Sequence, residues 1–189
     1  MKNLMRKVTL SAIATAIIAP MTLGAASADM LLSSDDIVEG QTMDQAQVFS
    51  GFGCDGGNLS PSLKWSGAPE GTKSFVITAY DPDAPTGSGW WHWALVNLPA
   101  DVSELPEGAG AIDFDLPGDA FNARNDYSVN AFGGACPPEG AAPHRYIFTV
   151  FAMPQGTLPI DETASGALVG YFANNTALDR ASITARFGR

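Results

Sequence analysis

The sequence predicts a mostly β protein, a two-layer β structure with one helix near its C-terminal end. Three observations predict it. Short apolar runs are separated by Gly or Pro at almost every boundary, in a chain with 20 Gly and 13 Pro. The longest runs, KSFVITAYD (73–81), WWHWALVNL (90–98) and RYIFTVFAM (145–153), are rich in β-branched and aromatic residues and are bounded by turn residues. They are apolar at odd and even positions alike, as strands covered on both faces must be.

Taken in order, residues 1–28 read as a cleaved export signal. Lys2, Arg6 and Lys7 open it, Val8 to Ala19 form a short apolar run, and Ala26 and Ala28 give a small-x-small cleavage pattern. No later segment approaches the ~20 apolar residues of a membrane-spanning helix, so no transmembrane anchor is expected after cleavage. Residues 29–189 are then a single domain. Weaker strands are expected at AQVFS (46–50), SLKWSG (62–67) and ASITARF (181–187), beside the three long ones. Residues 104–143 show almost no periodicity and read as a long irregular segment, a feature more often functional than idle. A helix is expected over Thr163–Leu178 behind the acidic DET start, with Leu168, Val169, Phe172 and Tyr171 at helical spacing.

Charge narrows the partners. The whole chain carries 10 Lys and Arg against 20 Asp and Glu, and removing the signal leaves seven against twenty, or −13. So acidic a surface repels polyanions, and nucleic acid is not expected as a partner. Cys54 and Cys136 are the two cysteines. In an exported chain without a C-x-x-C pattern they read as a structural disulfide in preference to two free thiols.

Candidate chemistry gathers at strand ends. Alternation puts His144 on one face with Tyr146, Phe148 and Val150, His92 with Ala94, Val96 and Leu98, and Asp81 with Ala79, Ile77 and Phe75. Three polar groups closing three apolar faces would make a polar mouth over a hydrophobic floor, or else each caps its own turn. The only two histidines are His92 and His144; neither has the spacing of a metal pair, and no metal or cofactor is expected. GFGCDG (51–56) fits a dinucleotide fingerprint only formally, because Gly57 and Pro61 argue against the helix it requires. TGSGW lacks the first glycine of a nucleophile elbow. The glycines of FGGACPP (132–138) read either as a nest of N–H groups for phosphate or as a plain turn.

Two segments, YDPDAPTGSGWWHWALVNLPA (80–100) and GGACPPEGAAPHRYIFTVFAM (133–153), resemble the signatures of the phosphatidylethanolamine-binding, or Raf kinase inhibitor-like, family. GCDGGNLSPSLKWSGAPEGTKSF (53–75) and the final ASITARFGR are similar to its exported bacterial branch. The resemblance implies a β-sandwich of two antiparallel sheets with a few short helices. It also implies a small pocket for phosphate-like anions or a phosphorylethanolamine headgroup. By motif position, Asp81, Asp83, His92, His144 and Tyr146 would line it, with Trp91, Gly134 and Pro137 as nearby walls. The expected function is a non-enzymatic binding protein, periplasmic or released to the exterior. The alternatives are a modulator acting through its surface on a protease or host factor, and a hydrolase using Asp81 and His92.

Overall fold

The computed structural model describes residues 29–189, so the export signal expected over residues 1–28 lies outside the described residues. The strands are β1 (Leu31–Ser33), β2 (Ser50–Gly51), β3 (Cys54–Asp55), β4 (Leu63–Ser66), β5 (Ser74–Asp81) and β6 (Trp90–Pro99). They continue with β7 (Glu104–Leu105), β8 (Phe121–Asn122), β9 (His144–Met153) and β10 (Asp179–Phe187), and helix α1 (Gly166–Thr176) precedes β10. A five-stranded antiparallel sheet runs β10-β9-β5-β6-β8, a three-stranded one runs β1-β4-β7, and β2 and β3 form a hairpin. The mostly β class, the face-to-face sheets and the C-terminal helix are as the sequence predicts.

The large sheet is the middle layer. On one face Phe75, Ile77, Trp93, Leu95, Phe148 and Val150 meet Leu63, Trp65 and Leu105 of the small sheet. On the other, Val76, Ala94, Val96 and Phe151 lie under Val169 and Ala173 of α1 and under Leu158. This explains the double-sided apolarity of the long strands. Truncating any of the large buried side chains to Ala should cost about 2–5 kcal/mol.

Strict alternation fails in β6, which carries two bulges. Tyr80 pairs with Trp91 but Ala79 with Trp93, so His92 is an extra residue; Phe75 pairs with Leu98 but Ile77 with Leu95, so Val96 and Asn97 oppose Val76 alone. Asn97 sits at φ 60°, and its Oδ1 accepts from the Leu158 N–H. Each bulge resets which side chain faces which layer. Ala94 and Val96 therefore face the helix, while Trp93, Leu95 and Leu98 face the small sheet, and His92 parts company with the residues that alternation grouped with it.

Two expected elements differ. Residues 46–50 are not a strand: Gln45–Gln47 make a 3-10 turn, followed by an isolated Val48–Ala135 bridge and then β2. The backbone of this segment is taken by glycine-rich neighbours, with Asn58 N–H donating to Val48 O and Ala135 N–H to Gln47 O. The helix starts at Gly166, not Thr163, because Asp161 binds the N–H and hydroxyl of Thr163 in a turn while Ser165 caps the helix by accepting from Leu168 N. Its buried face is Gly166, Val169, Gly170 and Ala173, whereas Leu168 and Tyr171 are exposed. The irregular reading of residues 104–143 holds, with only the two-residue β7 and β8 inside it.

Candidate functional site

At one end of the large sheet a cavity of about 170 Å³ opens between the strand ends and the irregular loops. Asp81 reaches it as the last residue of β5, His92 from the first bulge of β6, and His144 and Tyr146 as alternate residues of β9. Phe52, Trp90 and Tyr127 form aromatic walls, and Pro85, Pro137 and Pro138 complete the rim.

Each polar group on the floor is held by identifiable partners. Asp81 Oδ1 accepts the N–H groups of Asp83 and Ala84 at 2.8 and 3.1 Å, which closes the D-P-D-A-P turn. Its Oδ2 accepts from His144 Nδ1 at 2.7 Å, and both side chains are buried. His92 Nδ1 lies 2.7 Å from Gly133 O. A carbonyl only accepts, so Nδ1 carries the proton and Nε2 is a lone pair in the neutral ring. Burial outweighs the nearby carbonyls and Asp81, lowering the His92 pKa below its usual 6.5 and favouring that neutral form. Gly133 N–H donates back to His92 O, latching the bulge to the loop. Burial, reinforced by the charge of Asp81, raises the pKa of the Tyr146 hydroxyl, which therefore remains a donor.

The distribution of unpartnered groups is informative. Of six buried side-chain N or O atoms without a hydrogen-bond partner among the described residues, three belong to cavity residues: His92 Nε2, Tyr146 OH and Trp90 Nε1. Buried polar atoms are normally paired, at a cost of about 1–3 kcal/mol when they are not. Three such atoms gather around one cavity.

Asp81, His92, Pro137, His144 and Tyr146 of the predicted set surround this cavity; Asp83, Trp91 and Gly134 do not. Asp83 points outward into a bidentate pair with Arg145, whose guanidinium hydrogen bond holds its carboxyl at a pKa of about 2. Trp91 lies on the opposite face, against Gly166 and Gly170 of α1. Gly134 packs too tightly to line anything: a Cβ there would stand 2.4 Å from Gln47 O. The N–H groups of Gly133, Gly134 and Ala135 donate to His92 O, Asn58 Oδ1 and Gln47 O, so the anion nest read from FGGACPP is corrected to a close-packed connection. An Asp81–His92 hydrogen bond is likewise absent, since Asp81 holds His144 and His92 holds Gly133.

Sequence reasoning missed Phe52, Trp90 and Tyr127. Alternation from His92 does indicate Trp90, while Tyr127 sits in a segment without periodicity. Phe52 is brought in by the Cys54–Cys136 disulfide, formed as expected, which joins the β2–β3 hairpin to the 136–138 loop. Arg189 spans the same two loops, donating from Nε to Pro137 O and from Nη1 to Gly53 O. No group of three or more His, Cys, Asp or Glu is arranged to hold a metal ion among the described residues, and no described helix is long and apolar enough to cross a membrane.

A family model described as phosphatidylethanolamine-binding protein matches residues 33–188. The UPF0098 protein YbcL of Escherichia coli K12 is 52% identical over 173 residues, covering 91% of this chain and 94% of that protein. YbhB of the same strain is 50% identical over 158 residues, covering 84% and 99%. The crystal structure of E. coli YbcL, described as a new member of the mammalian PEBP family, superposes with a TM-score of 0.83 over 86% of this chain and 99% of that one. The PEBP homolog CT736 of Chlamydia trachomatis, at 26% identity, gives 0.71 over 85% and 98%.

Proposed function

The chain belongs to the phosphatidylethanolamine-binding protein family, and from that premise we propose that it is an exported binding protein whose cavity takes a small phosphate-bearing headgroup. The carrying observation is the cluster of unpartnered polar atoms at His92, Tyr146 and Trp90 beside the Asp81–His144 pair. Tyr146 OH and Trp90 Nε1 donate to phosphate oxygens, beside His144, which Asp81 holds through Nδ1. A cavity of about 170 Å³ is small against the ~300–1,000 Å³ of drug-sized sites and suits a headgroup, not two acyl chains. The disulfide is consistent with export to an oxidising compartment.

Calorimetry with inorganic phosphate and phosphorylethanolamine, alongside NMR of the two imidazoles, tests this reading. Both histidines should respond to the same ligand. Tyr146→Phe removes one donor to a charged group, worth about 1.5–3 kcal/mol, and should weaken binding at least tenfold. Unchanged affinity in Tyr146→Phe and unmoved imidazoles would refute the site.

A further inference from the structure

The helix-side face of the large sheet carries a second concavity, beside α1, and strand register builds its floor. Thr78, Thr149 and Ser182 stand directly opposite one another on β5, β9 and β10 and form a row of three hydroxyls. Thr78 and Thr149 are only 3% and 7% exposed. Thr149 Oγ1 and Ser182 Oγ lie 2.9 Å apart, so one O–H is spent between them while the other, with the remaining lone pairs, is free. One step along the sheet, Tyr80 pairs with Trp91, and their half-buried rings pack with centroids 4.5 Å apart. The Tyr80 hydroxyl donates to Ser88 O, which orients its ring. One step the other way, Arg180 stands opposite Phe151. The groove between them measures about 300 Å³, within the range of small-molecule sites.

Its charge runs against that of the chain. The protein carries 10 Lys and Arg against 20 Asp and Glu, yet this groove is lined by Arg180 and by no carboxylate. Asp179, the neighbour of Arg180 on β10, lies outside it, with its two oxygens accepting the N–H groups of Arg180 and Met30. Asn174 Oδ1 accepts from one guanidinium nitrogen and steadies the side chain. The remaining N–H groups of the planar guanidinium suit a carboxylate, which they can bind as a fork.

Each feature asks for a different part of one molecule. Arg180 calls for an anion, the hydroxyl row for groups that both donate and accept, and the aromatic pair for a flat apolar surface. An aromatic acid would cover the hydroxyl row without hydrogen-bonding it, and a neutral sugar would leave Arg180 without a counter-charge. We propose that this groove binds an acidic sugar, a pyranose ring bearing a carboxylate, with the carboxylate on Arg180, ring hydroxyls on the Thr149–Ser182 pair and a ring face against Trp91 and Tyr80. The site lies on the opposite face of the large sheet from Tyr146 and stands whether or not the strand-end cavity binds a headgroup.

NMR titration of backbone amides with D-glucuronate, D-glucose and benzoate tests it. Glucuronate should shift amides around Thr149, Arg180 and Ser182 and bind at least about tenfold more tightly than glucose, as expected of a charged hydrogen bond. Arg180→Gln, at an exposed position, should erase that margin. Thr149→Val with Ser182→Ala should weaken glucuronate at least about threefold and leave benzoate unchanged. Benzoate binding as tightly as glucuronate, a margin that survives Arg180→Gln, or shifts confined to His92 and His144 would each overturn the proposal. So would the absence of any shift in the groove. Phosphorylethanolamine, added first, should leave the glucuronate titration unaltered; competition between the two would mean a single shared site and would refute this one.

Discussion

His92 makes the sharpest demand at the scale of single residues. Its Nδ1 proton is committed to Gly133 O, and its pKa lies below the usual 6.5, so at pH 7 Nε2 offers a lone pair to whatever enters. A phosphate dianion also offers only lone pairs. One proton must therefore lie between them, carried by the ligand or taken up by the ring. Phosphate monoesters become dianions above about pH 6, so affinity should fall by roughly tenfold per pH unit from about pH 7 upward. Calorimetry in buffers of different ionisation enthalpy should find about one proton taken up per ligand. His92→Gln, whose amide donates without titrating, should lose the dependence; a pH-independent wild type would contradict the assignment. Asp81, His144 and Tyr146 were legible in the sequence because the relevant stretches of β5 and β9 pair without a bulge and alternation survives. Trp91, Asp83 and Gly134 were misplaced because motif proximity does not tell which face a side chain takes.

Among the elements, β6 shows most clearly what a period-2 pattern hides. Its existence, length and apolar character follow from composition, but the bulges at His92 and Asn97 depend on pairing with β5 and have no local signature beyond the positive φ of Asn97. The helix was likewise legible as a helix but not in its orientation. It docks through glycines because Trp91 occupies the space that larger residues would fill. Replacing Gly170 by Ala tests that account, since two effects oppose each other. Helix propensity gains about 1 kcal/mol. The added methyl, however, would stand 2.6 Å from Trp91 Cη2, and overpacking of this kind costs about 1–3 kcal/mol. The Tyr80 ring also packs on Trp91, with centroids 4.5 Å apart. Denaturant unfolding should show net destabilisation, whereas a stabilised variant would mean that the indole moves freely.

For the molecule as a whole, the question is what holds residues 104–143 in place with so little sheet or helix of their own. Hydrogen bonds from this segment reach Ser60, Gln47, Asn58 and His92, all distant in sequence, and one covalent link, Cys54–Cys136, closes a separation of 82 residues. In the chain-entropy model a loop of that length contributes about 4–5 kcal/mol by restricting the unfolded chain. The pairing was foreseeable from two cysteines in a chain whose first residues read as an export signal, but its position beside the cavity was not. Phe52, Cys136 and Pro137 all line the cavity, so the link shapes its walls as well as adding stability. Reduction by a dithiol, or paired Cys54→Ser and Cys136→Ser substitutions, should lower unfolding stability by about 2–5 kcal/mol and weaken headgroup binding. Arg189→Ala removes only the hydrogen bonds to Gly53 and Pro137 and leaves the covalent tie, so it should weaken binding with little effect on the unfolding midpoint. If reduction instead leaves both midpoint and affinity unchanged, the hydrogen bonds and close glycine packing suffice to hold the irregular segment, and the disulfide is redundant to the site.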